Sequence, residues 1–355
     1  MKAGRFVVDC HVHAQRFADA VEPRRAPALA EEDRPVADAQ GGFFAFDNTR
    51  RLQYDMDAYR VDMCVLLPAL GMSDALNLEI VARAPSRYVA ACGITDYVER
   101  CRIGVETWSV EGASATLDRM LATGRFVAAD VPPIFTSAPG NEAPVARRAA
   151  AADALFAIAE VCSRRHVALR YHTVPPAGWS VAGESAASVH FGPAFAGDLA
   201  ASFPDLTIVL DNGGVEAAWR ARDFDDCLDV ARAHDNVYIE TGLWWRERYE
   251  RPLADPGIGP EKLLWATDWG ATAPGGSYGG EPAPRSYPVT LDGRRAGHHQ
   301  VDYWGWSLRE LTSLRLSQDD LNLILGGNAA RVFKLDVACT CLFRPPAQVA
   351  PLASA

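Results

Sequence analysis

Short apolar runs recur along the chain, and segments with apolar residues at helical intervals lie between them. The runs are "RFVVDCHVH", "DMCVLLPAL", "YVAACGITD", "RFVAADVPPI", "HVALRYHT", "LTIVLDNGG", "NVYIETGL" and "KLLWATDWG". The helical segments include "RRLQYDMDAYR", "DALNLEIVARAPSR", "ATLDRMLATG", "AADALFAIAEVCSRR", "FAGDLAASFPD" and "FDDCLDVARAHDN". Strand-like runs alternating with helices predict an α/β fold with a parallel sheet. Eight such units match the count and size of a (β/α)8 TIM barrel. Residues 1–335 are read as one barrel, and residues 336–355, rich in small residues and proline, as a C-terminal tail.

Several runs end in polar side chains: His11 and His13, Asp96, Asp130, His172, Asp211, Glu240 and Asp268. In a parallel barrel the carboxyl ends of the strands meet at one mouth, where active sites are built. In extended backbone, positions 9, 11 and 13 share one face while Cys10 and Val12 take the other, so both imidazoles point the same way. Taken alone, the H-x-H pair reads as half of a metal site or as two polar residues at a strand end. Four connections, residues 14–47, 97–113, 173–191 and 271–303, are too long for simple turns. Those after the first, fifth and eighth runs are expected to wall or cover the mouth.

Composition narrows the class. The 355 residues are 49% hydrophobic, enough for a large core. The net charge of −10, from 45 acidic and 35 basic side chains, gives no electrostatic reason to expect nucleic acid or an anionic membrane as partner. No stretch approaches the roughly 20 apolar residues that span a bilayer, and "MKAGRFVVDCHVH" lacks the long apolar core of a signal peptide, so a cytoplasmic protein is expected. The eight cysteines lie mostly singly inside apolar runs, as small buried hydrophobes rather than a disulfide framework. Cys339 and Cys341, in "VACTCLF", form a C-x-C that is a poor zinc signal on its own.

Two histidines from the first run, His172 from the fifth and Asp268 from the eighth give an N3O donor set. It suits Zn2+ or, with added water, Mn2+, Fe2+ or Co2+. A metal so bound keeps an open position for water or a substrate oxygen. Singly, His172 reads equally as a core histidine and Asp268 as a helix cap. The four together, in strand order, are more specific.

On "DCHVH", "RYHT", "DNGG", "ATDWG" and the late "GGNAARVFKL", the chain resembles the amidohydrolase superfamily, in particular its branch of metal-dependent decarboxylases and lactonases. The resemblance spans residues 7–335. It implies a single divalent ion, Zn2+ first among the candidates, on His11, His13, His172 and Asp268. Relatives usually carry histidine in an H-x-G-G motif at strand 6, where this chain has Asp211. Asp211 is read as a general base, a further metal ligand, a residue that orients a ligand, or a turn residue. Binuclear relatives often bridge two ions with a carboxylated strand-4 lysine. The only lysines here are Lys2, Lys262 and Lys334, so that bridge is excluded. Asp130 is the remaining candidate for it, and one metal is expected.

The resemblance implies hydrolysis of a small carbonyl substrate (lactone, ester or amide, with a carboxylate or aromatic group), Asp268 carrying the proton. "ATDWG" looks more like the lactonase branch, and the alternative, decarboxylation of an aromatic or unsaturated acid, calls on the position changed to Asp211. A third reading is a barrel that binds a ligand without turnover. Arg16, Arg170 and Arg285 are candidates for a substrate carboxylate, though Arg170, two residues before His172, also reads as an inward layer residue. Trp244, Trp245 and Trp269 are candidates for stacking on a substrate, with core packing as the other reading. His190, His298 and His299 read as loop histidines. The expected partner is a small molecule, and the expected assembly a homo-oligomer, a dimer.

Overall fold

Each of the eight apolar runs becomes a strand: β1 (Val8–Val12), β2 (Met63–Leu66), β3 (Tyr88–Cys92), β4 (Ala128–Val131), β5 (Ala168–His172), β6 (Ile208–Asp211), β7 (Val237–Glu240) and β8 (Leu263–Leu264). They come from a computed structural model, which describes residues 5–14, 49–68, 74–94, 97, 100–101, 104–131, 144–173, 191–215, 221–270 and 303–336. The strands pair in sequence order, all parallel. Backbone hydrogen bonds from Cys10 N to Trp265 O, Trp269 N to His11 O and His13 N to Trp269 O bring the eighth run back to the first. The result is a (β/α)8 TIM barrel. Its strands are buried on both faces, which is why they read as unbroken apolar runs.

The helices carry the periodicity expected of them. Helix α1 (Thr49–Tyr59) buries Leu52 and Met56, four residues apart, and α2 (Asp74–Arg83) buries Leu76 and Ile80. Helix α3 (Val110–Leu121) starts at Ser109, whose hydroxyl accepts from Gly112 N. Among the described residues no helix is long and apolar enough to cross a membrane. Cys10, Cys64, Cys92, Cys101, Cys162 and Cys227 are free thiols in the interior.

Two layers of core follow from strand alternation. One lies inside the barrel and includes Val8, Cys10, Val65, Ala128, Ala168 and Val209; the other faces the helices and includes Cys64, Leu66, Leu169 and Ile208. Simple alternation fails in β1. Its register against β2 shifts between Asp9 and Val12. Asp9 therefore parts from His11: its carboxylate accepts from Thr267 Oγ1 at 2.5 Å and from the indole N–H of Trp304, while His11 turns inward to Glu240. The expectation that positions 9, 11 and 13 share a face holds for the two histidines alone, and the irregular step in β1 is the reason.

The "GGNAARVF" stretch sits at the opposite end from the mouth. Asn328, fully buried, donates from Nδ2 to the carbonyls of Pro260 and Leu263 at 2.7 Å each, tying the late helix to the start of β8. Gly326 lies so close to β1 that a Cβ there would stand 2.1 Å from Phe6 O. This part of the family signature closes the barrel floor. Residues 15–48, 174–190 and 271–302, which make up most of the three connections expected to wall the mouth, lie outside the described residues, as do Asp96 and the tail from 337.

Candidate metal centre

At the end of β1, two imidazoles meet a carboxylate. His11 Nε2 is 2.9 Å from His13 Nε2 and 3.2 Å from Asp268 Oδ1, and His13 Nε2 is 3.4 Å from the same oxygen. Metal bonds of about 2.0–2.1 Å in tetrahedral geometry separate ligand atoms by roughly 3.3 Å, so the trio has the spacing of ligands around one small ion. Asp268 reaches it from a left-handed backbone with φ 58°. Such backbone in a non-glycine residue is sparsely populated and collects at functional sites.

His172 stands beside this trio rather than within it. Its Nε2 is 3.0 Å from Asp130 Oδ1 and 3.8 Å from Asp211 Oδ2, and its ring centroid is 6.4 Å from that of His11. Asp130, His172 and Asp211 form a second grouping, with donor atoms within 4.8 Å of one another.

Arg170 lies on the same face of β5 as His172, two residues deeper. Its Nη1 donates to Cys10 O at 2.6 Å, on the strand diametrically across the barrel, so the side chain spans the lumen. Its Nη2 is 2.8 Å from Glu240 Oε2 and 2.7 Å from Asp211 Oδ1. Arg170, Asp211 and Glu240 are all fully buried. The approach to Asp211 is an ion pair without hydrogen-bond alignment: neither oxygen of Asp211 accepts a hydrogen bond.

Four carboxylates (Asp130, Asp211, Glu240 and Asp268) face one guanidinium, a net excess of three negative charges while the imidazoles are neutral. Buried charge must be compensated, and a divalent cation does so. The same imbalance shows in the proton affinities. Burial opposes a charged His11, yet Glu240 and Asp268 outweigh it and raise its pKa to about 10. Burial lowers that of His13, against the pull of Asp268. Burial also opposes ionisation of Asp268, but His11 and His13 hold it down at about 2. Asp211 goes the other way, raised to about 6 by burial despite Arg170. The donor set and the charge both fit a divalent metal.

The family model described as amidohydrolase, Amidohydro_2, matches residues 8–335. The chain belongs to the amidohydrolase family. No curated protein is matched by the sequence. Solved structures share the fold of this amidohydrolase at low identity. A probable 2-pyrone-4,6-dicarboxylic acid hydrolase from Acinetobacter baumannii, with citric acid bound, is 12% identical over 93% of this chain and 99% of its own, with TM-score 0.55. A 5-carboxyvanillate decarboxylase from Novosphingobium aromaticivorans with bound manganese is 11% identical over 94% and 98%, TM-score 0.53. A Burkholderia multivorans amidohydrolase with bound zinc is 15% identical over 93% and 99%, TM-score 0.52.

The substrate contacts expected from sequence need correction. Trp244 is fully buried, its indole N–H donating to Asn212 O at 2.9 Å and its ring packed between Phe224 and Tyr249. Trp269 turns away from the mouth to Asp55 Oδ2 at 3.1 Å and stacks on Trp304. Both indoles are wall. Arg170 is occupied by Cys10, Glu240 and Asp211, so it is the inward layer residue and not a carboxylate clamp. Arg16, Arg285, His190, His298 and His299 lie outside the described residues. Glu240 and Asp9 were not assigned roles from sequence. For Glu240 the signal was present, a carboxylate closing "NVYIE" at the carboxyl end of a strand.

Proposed function

We propose that this amidohydrolase is a metal-dependent hydrolase of a small carbonyl substrate, a lactone, ester or amide bearing a carboxylate or an aromatic group. One observation carries the reading: Asp268 Oδ1 lies 3.2 and 3.4 Å from the Nε2 atoms of His11 and His13. His11, His13 and Asp268 would hold one divalent ion, with His172 as the neighbouring fourth donor and Zn2+ the first choice for this set. Bound there, the ion would polarise the substrate carbonyl and make an adjacent water more acidic. Asp268 takes the proton from the attacking water and delivers it to the leaving oxygen or nitrogen. Arg16, three residues past His13, is the proposed partner of a substrate carboxylate. The buried free thiols support a cytoplasmic location.

One observation favours decarboxylation as a second reading. Asp211, raised to about 6 by burial, retains a proton near neutrality better than an ordinary aspartate. In that reaction it would protonate the carbon that loses carbon dioxide. Full-length protein loaded with Zn2+ or Mn2+ decides between them in 18O water, assayed with aryl lactones and with hydroxylated benzoic acids. Hydrolysis predicts one 18O in the product and loss of turnover on chelation. Carbon dioxide release without 18O would replace it with the second reading, and turnover indifferent to chelation would overturn both.

A further inference from the structure

Glu240 is tied at both oxygens. Its Oε2 is 2.5 Å from His11 Nδ1 and 2.8 Å from Arg170 Nη2, and its Oε1 accepts the Gly242 amide at 2.8 Å. The turn after β7 wraps tightly round that carboxylate. A Cβ on residue 242 would stand 2.6 Å from Glu240 Oε1 and 2.3 Å from Asn212 Oδ1, so only glycine fits without displacing it. Arg170 cannot drift either, since its other nitrogen is anchored on Cys10 O across the lumen. A carboxylate so fixed can neither rotate away from His11 nor exchange it for water, because it is fully buried.

An imidazole has two nitrogens, and the hydrogen bond made by one decides what the other can do. A carboxylate at His11 Nδ1 accepts, so Nδ1 keeps its hydrogen and Nε2 is the nitrogen left to bind a metal. Nε2 is the atom facing His13 and Asp268. We propose that Glu240, clamped by Arg170 and the Gly242 amide, is a positioning residue that fixes the orientation and tautomer of His11 for metal binding through Nε2. The proposal rests on reading His11 as a metal ligand. Arg170 acts one step further out. It pairs with both Glu240 and Asp211, at 2.8 and 2.7 Å, and so ties the two side chains to one anchor.

The test uses full-length protein and needs no substrate. Zn2+ affinity is measured by chelator competition for wild type, Glu240→Gln and Glu240→Asp, with a thermal melt of each metal-free protein. Partners of this kind typically govern metal affinity by 10–100-fold. Glu240→Gln is therefore expected to weaken Zn2+ binding by about that factor, with Glu240→Asp recovering part of it. A purely structural role would lower the melting temperature and leave the affinity of the folded protein unchanged. Wild type labelled with 15N-histidine and loaded with 113Cd2+ gives a readout that does not depend on the variants folding. Cadmium coupling to His11 Nε2, with a proton on Nδ1, is expected. Coupling to Nδ1, or equal Zn2+ affinity in wild type and Glu240→Gln, would overturn the role of Glu240 while leaving the metal site standing. Failure of wild type to bind any divalent ion would overturn the metal reading itself, and this proposal with it.

Discussion

The two ends of the barrel are equally buried and differently satisfied. At the floor, Asn328 meets two carbonyls at 2.7 Å with its amide nitrogen, and its own oxygen accepts from Arg331. At the mouth, Asp211 is fully buried with neither oxygen accepting a hydrogen bond, and two imidazole nitrogens face each other 2.9 Å apart. Each floor group finds its complement within the chain. The mouth groups are lone pairs and negative charge in excess of the one guanidinium, Arg170, that pairs with two of them, and that excess suits a cation from outside. The floor therefore holds the fold, and the mouth spends stability on affinity for a ligand.

Three substitutions separate the ends and a fourth, on the surface, serves as their reference, from the largest effect to the smallest. Asp268→Asn is expected to lower kcat/KM about 10²–10⁴-fold by removing the proposed proton carrier and metal donor. The attraction to His11 and His13 that holds Asp268 at about 2 is lost as well, so its metal-free protein should melt modestly lower than wild type; a drop as large as that of the floor substitutions would contradict the contrast. At the floor, Gly326→Val should destabilise by about 3 kcal/mol or more in urea, because its Cβ meets a backbone oxygen that cannot yield. Asn328→Ala removes both of these hydrogen bonds, one of them to the buried carbonyl of Leu263, and should cost about 1–3 kcal/mol, with Zn2+ affinity unchanged in the folded protein.

The fourth substitution lies outside both ends. Asp118 pairs on the surface with Arg165 at 2.8 Å and with Arg164 at 3.0 Å, which hold its carboxyl below the usual range. A depressed folded pKa adds stability above the unfolded value of about 3.9, and that stability disappears as pH falls through the folded pKa. Water screens this pair, so Asp118→Asn should cost only about 0.2–1 kcal/mol at pH 7. In acid well below pH 4, the urea midpoints of variant and wild type should converge.

The same division governs what could be read in advance. Eight apolar runs were visible because parallel strands buried on both faces leave no polar gaps. The convergence of His11, His13 and Asp268 was visible because strand ends of a barrel share one mouth. The directions of side chains just past a strand were not. Leu243 and Asp268 adopt φ of 63° and 58°, and the residue after each, Trp244 and Trp269, is thereby thrown into the wall. The parting of Asp9 from His11 depends on one irregular step in β1, and no residue type there announces it. The partner of Glu240 was hidden because β7 and β1 meet only in three dimensions.

Arg170, spanning the lumen from β5 to β1, also sets a limit on size. Beneath it the barrel holds only packed apolar side chains such as Val8, Ala128, Ala168 and Val209. A molecule entering from the mouth can descend to the guanidinium and no further. The depth open to a ligand at the mouth is thus fixed by one side chain of the scaffold, held on both sides of the lumen.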